Sequence, residues 1–177
     1  LAAAGALWPL LAVARAVLLK RLLIGRWRPG RVPVWSGAGW RHWVVARAAR
    51  QIPWGMLEGT ALAPAVLRLL GARVGRRVHF HRGAVPVSGG WDLLTVGDDA
   101  VVGQEASLRV VELEGGCHVA APVRVGAGAR VSTRATLCGG SSLGAGSVLG
   151  PLSALEGTTG EDEAWDGVPA ARGGPAP

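Results

Sequence analysis

An apolar residue recurs at every sixth position over the second half of this chain, and this period limits the fold more than any other feature. The repeat has seven aliphatic anchors: Val119, Val125, Val131, Leu137, Leu143, Leu149 and Leu155. Small or β-branched residues stand four positions after the anchors: Val123, Ala129, Ala135, Ser141, Ser147, Ser153 and Thr159. Helices space apolar residues three and four apart and simple strands two apart, whereas a period of six is typical of a β-solenoid. We therefore predict an all-β solenoid of hexapeptide repeats.

The physical basis of each hexad is a short strand followed by a tight corner. The anchor is predicted to fill the narrow interior. The small residue directly after it is predicted to let the backbone turn, most easily where that residue is glycine. The chain has 28 glycines without a collagen period, in agreement with many corners. Stacked coils would pair their backbones with the coils above and below, so each coil would depend on its neighbours.

The repeat recurs upstream with breaks. Hexads begin at Val74, Val96 and Val102, and the frame continues to Leu108. The next apolar anchor, Leu113, comes only five residues later, so that either one residue is missing or a loop intervenes around 110–116.

A second excursion covers residues 86–91, with the sequence PVSGGW. Segments that leave regular coils often form binding faces, so we expect function at these two breaks.

The first third of the chain is apolar and basic. Residues 1–14 carry no charge, but they are too short for a full membrane span of about 20 residues. Residues 1–58 hold nine Lys or Arg residues and one acid, for a net charge of +8, whereas residues 59–177 hold ten Arg and eleven acids, for −1. A basic cluster after an apolar run is typical of the cytoplasmic end of a transmembrane helix and of an amphipathic helix at a membrane surface.

Most of the tryptophans lie in the same third: Trp8, Trp27, Trp35, Trp40, Trp43 and Trp54. Trp and Arg together favour a lipid–water interface, so we predict a membrane-associated chain whose β-helix is cytoplasmic and whose partners include a membrane surface. The alternative is a soluble helical cap whose tryptophans pack on the solenoid. Nucleic acid is disfavoured as a partner because long apolar runs separate the basic residues.

These patterns divide the chain into four segments. Residues 1–25 are an apolar, amphipathic membrane-proximal segment, with the end of a transmembrane helix as one interpretation. Residues 26–71 are a Trp- and Arg-rich helical region that ends in a cap. Residues 72–160 are the hexapeptide-repeat β-helix, and residues 161–177 are a closing tail with a Gly-x-Pro-Ala motif.

The hexads and the ending Trp165–Ala170 resemble the hexapeptide-repeat acyltransferases. This resemblance implies a left-handed parallel β-helix, acyl-CoA as a thioester substrate, and a trimer with a catalytic His at a subunit boundary.

A narrower resemblance covers residues from about 18 to 172. The segments LLIGRWRPGRVPVWS, RHWVV, LLGARVGRRV, VLGPLSALEG and WDGVPA are similar to the terminal domain of membrane-bound non-ribosomal peptide synthetases of the ε-poly-lysine synthetase type. The resemblance implies adenylation, carrier and sister β-helix domains as partners and a trimer or pseudo-trimer. It further implies a phosphopantetheine-bound aminoacyl thioester as substrate and a role in amide-bond formation.

One departure from that family concerns the break. The family pattern has a His in the stretch that here reads Leu108–Glu114, and Val111 stands in its place. Valine cannot accept a proton from an attacking amine or hydroxyl. The sequence therefore leaves open an acyltransferase-type enzyme, a non-catalytic structural domain of the same assembly, and a free-standing CoA-dependent O- or N-acetyltransferase.

The remaining histidines supply the candidate bases, because imidazole titrates near neutral pH. His118 and His81 are the catalytic candidates, whereas His42 is assigned to the membrane interface. Glu112 and Glu114 are candidates for orienting a His or binding an amino group.

The two cysteines, Cys117 and Cys138, give neither a disulfide framework nor metal-ligand spacing, and the glycines lack the lysine of a P-loop. We therefore expect no tightly bound cofactor and no metal.

Overall fold

The computed structural model describes residues 2–176, with side chains described from residue 7 onward. It contains four helices, α1 Ala2–Leu23, α2 Gly37–Ala49, α3 Trp54–Leu57 and α4 Leu62–Leu69. The strands of the first half are β1 Gly30–Pro33, β2 Arg73–Val74, β3 His79–Phe80, β4 Leu94–Val96, β5 Val101–Val102, β6 Ser107–Leu108, β7 Val111–Glu114 and β8 Cys117–Ala120. The strands of the second half are β9 Val123–Val125, β10 Arg130–Val131, β11 Thr136–Leu137, β12 Ser142–Leu143, β13 Val148–Leu149, β14 Ala154–Leu155, β15 Glu163–Asp166 and β16 Ala171–Pro175.

Consecutive coil strands belong to three different sheets, and each sheet is built from strands of successive coils. The sheet orders are β2-β4-β9-β12, β3-β5-β10-β13-β15 with β16 at its edge, and β6-β11-β14. Pairing within them is parallel except between β15 and β16. In the regular part Val125 pairs with Leu143 and Val131 with Leu149, so three hexads complete one coil.

The interior of the coils is filled by the predicted anchors. From Val125 to Leu155 every anchor is at most 2% exposed. In the later coils, buried hydroxyls also occupy the interior, and each has an acceptor: Ser141 Oγ donates to the Leu155 carbonyl (2.8 Å), and Ser147 Oγ donates to the Gly160 carbonyl (2.9 Å). The predicted burial of the anchors is therefore confirmed over this range, with polar interior groups satisfied by hydrogen bonds.

The glycine that follows an anchor has a different role from the one predicted. A Cβ on Gly126 would collide with the backbone of Ala145 in the next coil, so glycine is required there for close stacking. The left-handed residue that turns the corner stands three positions after the anchor, as in Gly128 (φ 65°), Arg134 (φ 56°) and Leu152 (φ 59°). The prediction that the first small residue makes the turn is therefore wrong.

The break after Leu108 is a β-hairpin. Strands β7 and β8 pair antiparallel and leave the coil, which resumes at Val123. The expectation that Val119 and Leu113 are interior anchors is wrong, because Val119 is only half-buried and Leu113 is 68% exposed. A loop thus intervenes, and no residue is missing from the repeat.

The end of the chain also differs from the predicted boundary at residue 160. Strand β15 pairs in parallel with β13, with Trp165 opposite Leu149, so the coil continues into the predicted tail. Strand β16 then folds back antiparallel on β15.

The helices cover one end and one side of the coils. Helix α4 contacts β2 and β3, and its residues Val66 and Leu67 are buried in the common apolar core. Helix α1 packs on α2, with Ala12 and Ala16 in the same core. None of the helices within residues 2–176 is both long enough and apolar enough to cross a membrane.

A buried ion pair joins α1 to the coils. Lys20 Nζ lies 2.7 Å from Asp92 Oδ2, and the two side chains are 6% and 14% exposed. The backbone N–H of Trp27 donates to the same carboxylate at 3.0 Å. Asp92 follows the second excursion of the chain, so this excursion connects the helices to the coils.

Candidate functional site

The hairpin forms a three-stranded antiparallel sheet with a strand from the N-terminal third. The order is β1-β8-β7, and we call it the hairpin sheet. His118 pairs with Val32 on one side and with Leu113 on the other. Since cross-strand partners point to the same face, these three side chains share one face of the sheet. Helix α2, which follows β1 directly, carries His42 to this face.

His118 lines a cavity of about 290 Å³, here called the His118 cavity. Its other walls come from the segment between α1 and β1, from α2 and the residue after it, from the second excursion and from β7: Trp27, His42, Trp43, Ala46, Arg47, Arg50, Ser88, Val111, Glu112 and Leu113. The His118 and His42 rings are 6.0 Å apart between centroids. Two imidazoles, two guanidinium groups and apolar walls thus surround one concave space.

The surroundings of His42 disfavour its protonated form. Burial lowers the pKa of His42, and the nearby positive charge of His118 lowers it further. Its ring lies against Trp27 with centroids 4.1 Å apart. His42 Nδ1 and Trp27 Nε1 are both buried, and neither has a hydrogen-bond partner among the described residues. Buried polar atoms without partners are rare, so this aromatic pair is suited to binding a polar ligand.

Glu112 and Glu114 have partners other than His118. Glu112 Oε1 accepts from the Gly139 N–H at 3.1 Å, which attaches the hairpin to the coil. Glu114 Oε2 lies 3.3 Å from Arg31 Nη2, and this ion pair joins β7 to β1 across the central strand β8. Residues alternate between the faces of a strand, so the Glu112 and Glu114 side chains lie on the opposite face from Leu113 and His118, although Glu112 also contributes to the wall of the His118 cavity. Their roles in catalysis or amine binding stay predictions.

His81 lies apart from His118. It is exposed just after β3, and its ring contacts the His79 ring edge-on with centroids 4.5 Å apart. The cavity lined by His118 and His42 does not include His81. The structure therefore brings His118 together with His42, and not with the second catalytic candidate.

The second excursion packs against the wall of the His118 cavity at Val111. Trp91 is fully buried, and its Nε1 donates to the Pro86 carbonyl at 2.8 Å. A Cβ on Gly90 would lie 2.8 Å from Val111 Cγ2, so the excursion packs directly against the position where the family resemblance expects a histidine. Val111 is thereby half-buried in the wall of the His118 cavity.

The thiols do not add a nucleophile or a metal ligand set. Burial raises the pKa of Cys138, and the charges of Glu112 and Glu156 raise it further, so the thiol stays protonated near neutral pH. Within residues 2–176 no group of three or more His, Cys, Asp or Glu side chains is arranged to hold a metal ion.

The sequence predictions missed a basic cavity beside the site. This cavity of about 380 Å³, here called the basic pocket, is lined by four arginines: Arg26, Arg28, Arg31 and Arg41. Trp27 and His42 line it as well. The available signal was the segment RWRPGR, whose arginines recur within six residues and directly before strand β1.

Comparison with known proteins relates the chain to a larger synthetase. No protein-family profile matches the chain. Delta-poly-L-ornithine synthetase of Acinetobacter baumannii (strain AB307-0294) is 28% identical over 157 residues. The match covers 88% of this chain and 12% of that protein, so the chain spans only a small part of its relative.

Solved structures with similar backbones are acetyltransferases. A maltose O-acetyltransferase from Clostridium difficile 630 matches with a TM-score of 0.51, 12% identity and coverage of 96% of this chain and 88% of that one. A hexapeptide-repeat-containing acetyltransferase from Vibrio cholerae O1 biovar eltor, solved with acetyl coenzyme A, matches with a TM-score of 0.54, 13% identity and coverage of 94% and 87%. The chain therefore has the fold of the hexapeptide-repeat acetyltransferases.

Proposed function

We propose that this chain is the acyltransferase-like terminal domain of a membrane-associated non-ribosomal peptide synthetase. It acts on amino-acid units held as thioesters on a carrier. The observation that carries this proposal is the match of 88% of the chain to delta-poly-L-ornithine synthetase, together with an acetyltransferase fold. The same proposal includes a left-handed coil, a trimer or pseudo-trimer with sister domains, and a specific likeness to ε-poly-lysine synthetases.

The proposed reaction takes place in the His118 cavity. The amine of one unit attacks the thioester carbonyl carbon of another, a C–N bond forms, and the C–S bond breaks. His118 accepts the proton from the amine and returns it to the departing sulfur, so atoms and charge balance. Because burial disfavours the protonated form of His42, this residue does not add a like charge beside the imidazolium that His118 becomes.

The test uses the complete synthetase with His118→Ala. We expect a loss of product formation of about 100-fold or more, the usual contribution of a general base, when the polymer is quantified by mass spectrometry. The matched control is His81→Ala, an exposed histidine outside the cavity, which should leave the yield unchanged. Normal yield from His118→Ala would refute its role, and a loss confined to His81→Ala would assign the base to His81.

Membrane association rests on an unpartnered apolar surface. Four exposed leucines of α1 and α4 line one groove: Leu10, Leu18, Leu62 and Leu69. The groove between the helices has a volume of about 630 Å³ and also includes Arg21. An apolar face bordered by basic residues, in a third of the chain with charge +8, suits the surface of an anionic bilayer.

Vesicle sedimentation tests this surface. The double change Leu10→Glu and Leu18→Glu should weaken binding to phosphatidylcholine–phosphatidylglycerol vesicles by about tenfold or more, since each buried leucine contributes about 1.5–3 kcal/mol. Leu152→Glu, an equally exposed leucine at a coil corner, is the control. Equal binding by all three chains would exclude the groove as the contact with the membrane.

A second candidate function is a non-catalytic domain that supports the same assembly. The observation that favours it is Val111, an inert side chain packed against Gly90 at the position of the expected histidine. In that case His118→Ala leaves the yield unchanged, Val111→His adds no activity, and deletion of the domain dissociates the synthetase in size-exclusion chromatography. Assembly that survives the deletion would refute this candidate.

A further inference from the structure

The basic pocket lies where the end of α1, strand β1 and helix α2 meet. Four arginines line it, and no Asp or Glu does. Arg31 is paired with Glu114 at 3.3 Å across the hairpin sheet. Arg26, Arg28 and Arg41 form no ion pair or side-chain hydrogen bond with another described residue. Within the described part of the chain, three cationic side chains at one cavity thus lack a counter-charge.

The side chains of these arginines are exposed, so solvent screens much of their mutual repulsion, and an anion between them would be attracted by each of them. The planar guanidinium group donates two parallel hydrogen bonds to phosphate oxygens, so several arginines from different segments can hold one phosphate from different sides.

The wall of the basic pocket carries two further polar groups. Trp27 Nε1 and His42 Nδ1 are buried without partners, and both residues line the pocket. Indole Nε1 can only donate, and neutral imidazole donates from one nitrogen and accepts at the other. A ligand that bears acceptor oxygens would satisfy the indole N–H as well as the arginines.

The basic pocket and the His118 cavity share a wall. Trp27 and His42, whose tilted rings are in contact, line both spaces. A ligand fixed in the basic pocket therefore lies on one side of this wall, and His118, the proposed general base, lines the cavity on the other side. A charged anchor close to a reacting end is the arrangement that positions a long, flexible substrate.

We propose that the basic pocket binds the phosphate ester of the pantetheine-type arm that presents the thioester to His118. This inference rests on the proposed function for the identity of the arm. The claim that the arginines bind a phosphate ester is independent of catalysis, because it concerns binding alone.

Calorimetry on the full chain tests the proposal with two probes, 4′-phosphopantetheine and pantetheine, which differ only in the phosphate. We expect the first to bind at least about tenfold more tightly, since a hydrogen bond to a charged group contributes about 1.5–3 kcal/mol. Arg28→Glu combined with Arg41→Glu should abolish this preference. Arg28→Gln with Arg41→Gln should weaken it by about tenfold and provides a second variant if charge reversal impairs folding, which circular dichroism reports.

The control reverses two arginines on the outer surface of the coils, Arg124→Glu and Arg130→Glu, and should bind 4′-phosphopantetheine like the parent chain. Equal binding of the two probes, or equal weakening by the control, would overturn the proposal. Binding of phosphatidylglycerol vesicles that depends on Arg28 and Arg41, without binding of 4′-phosphopantetheine, would overturn it in favour of a lipid headgroup. His118→Ala should bind 4′-phosphopantetheine like the parent chain. The catalytic role of His118 and the phosphate site are therefore tested by different measurements, and either one can be refuted without the other.

Discussion

The coils from Val123 to Leu155 and the hairpin sheet hold their strands together in different ways. A strand of these coils is two or three residues long, and its partner in the next of these coils lies at a fixed distance along the chain, as in the pairs Val131–Leu149 and Leu137–Leu155. In the hairpin sheet, β1 joins β8 from the other end of the sequence, and the Arg31–Glu114 pair spans 83 residues. Regular stacking builds the scaffold, and one long-range pairing builds the cavity.

This difference explains where chemistry is possible. The coil interior is closed and filled by anchors, and its corners are occupied by neighbouring residues that pair with one another. Arg77, for example, pairs with Asp99 of the next coil at 2.6 Å, and this hydrogen bond holds the pKa of Asp99 below its ordinary value. The hairpin sheet instead leaves His118, His42 and several arginines around open cavities.

The largest expected effect concerns the attachment between the two regions. Lys20→Ala leaves the Asp92 carboxylate buried without its partner, so we expect a loss of about 3–5 kcal/mol in the free energy of unfolding, measured with urea. Arg31→Ala, which breaks the exposed pair with Glu114, should cost about 0–1 kcal/mol. Equal losses would mean that the buried pair does not hold α1 against the coils.

The next effect contrasts two leucines that the sequence treats as equivalent anchors. Leu137→Ala opens a cavity inside the coil and should cost about 2–5 kcal/mol. Leu113→Ala removes an exposed side chain from the hairpin and should change stability by about 0.5 kcal/mol or less. Urea denaturation of both variants measures the difference, and a comparable loss at Leu113 would show that this side chain is buried in solution.

The smallest effect is a pH dependence specific to the hairpin region. Because the pKa of His42 is lowered in the folded chain, the unfolded chain binds a proton more readily as pH falls through the ordinary value of 6.5. The contribution of neutral His42 is therefore complete above this value and lost below it. Relative to His42→Gln, the parent chain should lose stability between pH 7.5 and pH 5.5, whereas His81→Gln should follow the parent. Parallel curves for the parent and His42→Gln would contradict the burial of His42.

Local periodicity made the coils predictable. Strands β10 to β14 follow hexads whose anchors are read from one segment at a time, so no distant contact is needed to place them. The roles of the two corner positions were not separable, because glycine occurs both at Gly126, where a coil approaches closely, and at Gly128, where the backbone is left-handed. Sequence alone does not distinguish a steric requirement from a conformational one.

The candidate site was predictable only in part. The place of His118 beside the break follows from the sequence, but its proximity to His42 does not, because the pairing of β1 with β8 has no sequence period. The same long-range pairing gathers the arginines of the basic pocket. Val119 was misassigned because it matches the hexad frame by spacing, although it lies in the antiparallel hairpin and contacts Glu112 across the strands.

The ion pair of Lys20 also has a consequence for the chemical reactivity of the folded surface. Lys20 is the one lysine of the chain, and its amine is enclosed by Asp92 with 6% of the side chain exposed. An ammonium group bound in this way is neither accessible nor nucleophilic. The folded surface from residue 7 to residue 176 thus presents no side-chain amine to an acylating reagent, and under the proposed function this burial protects the domain from acylating its own lysine.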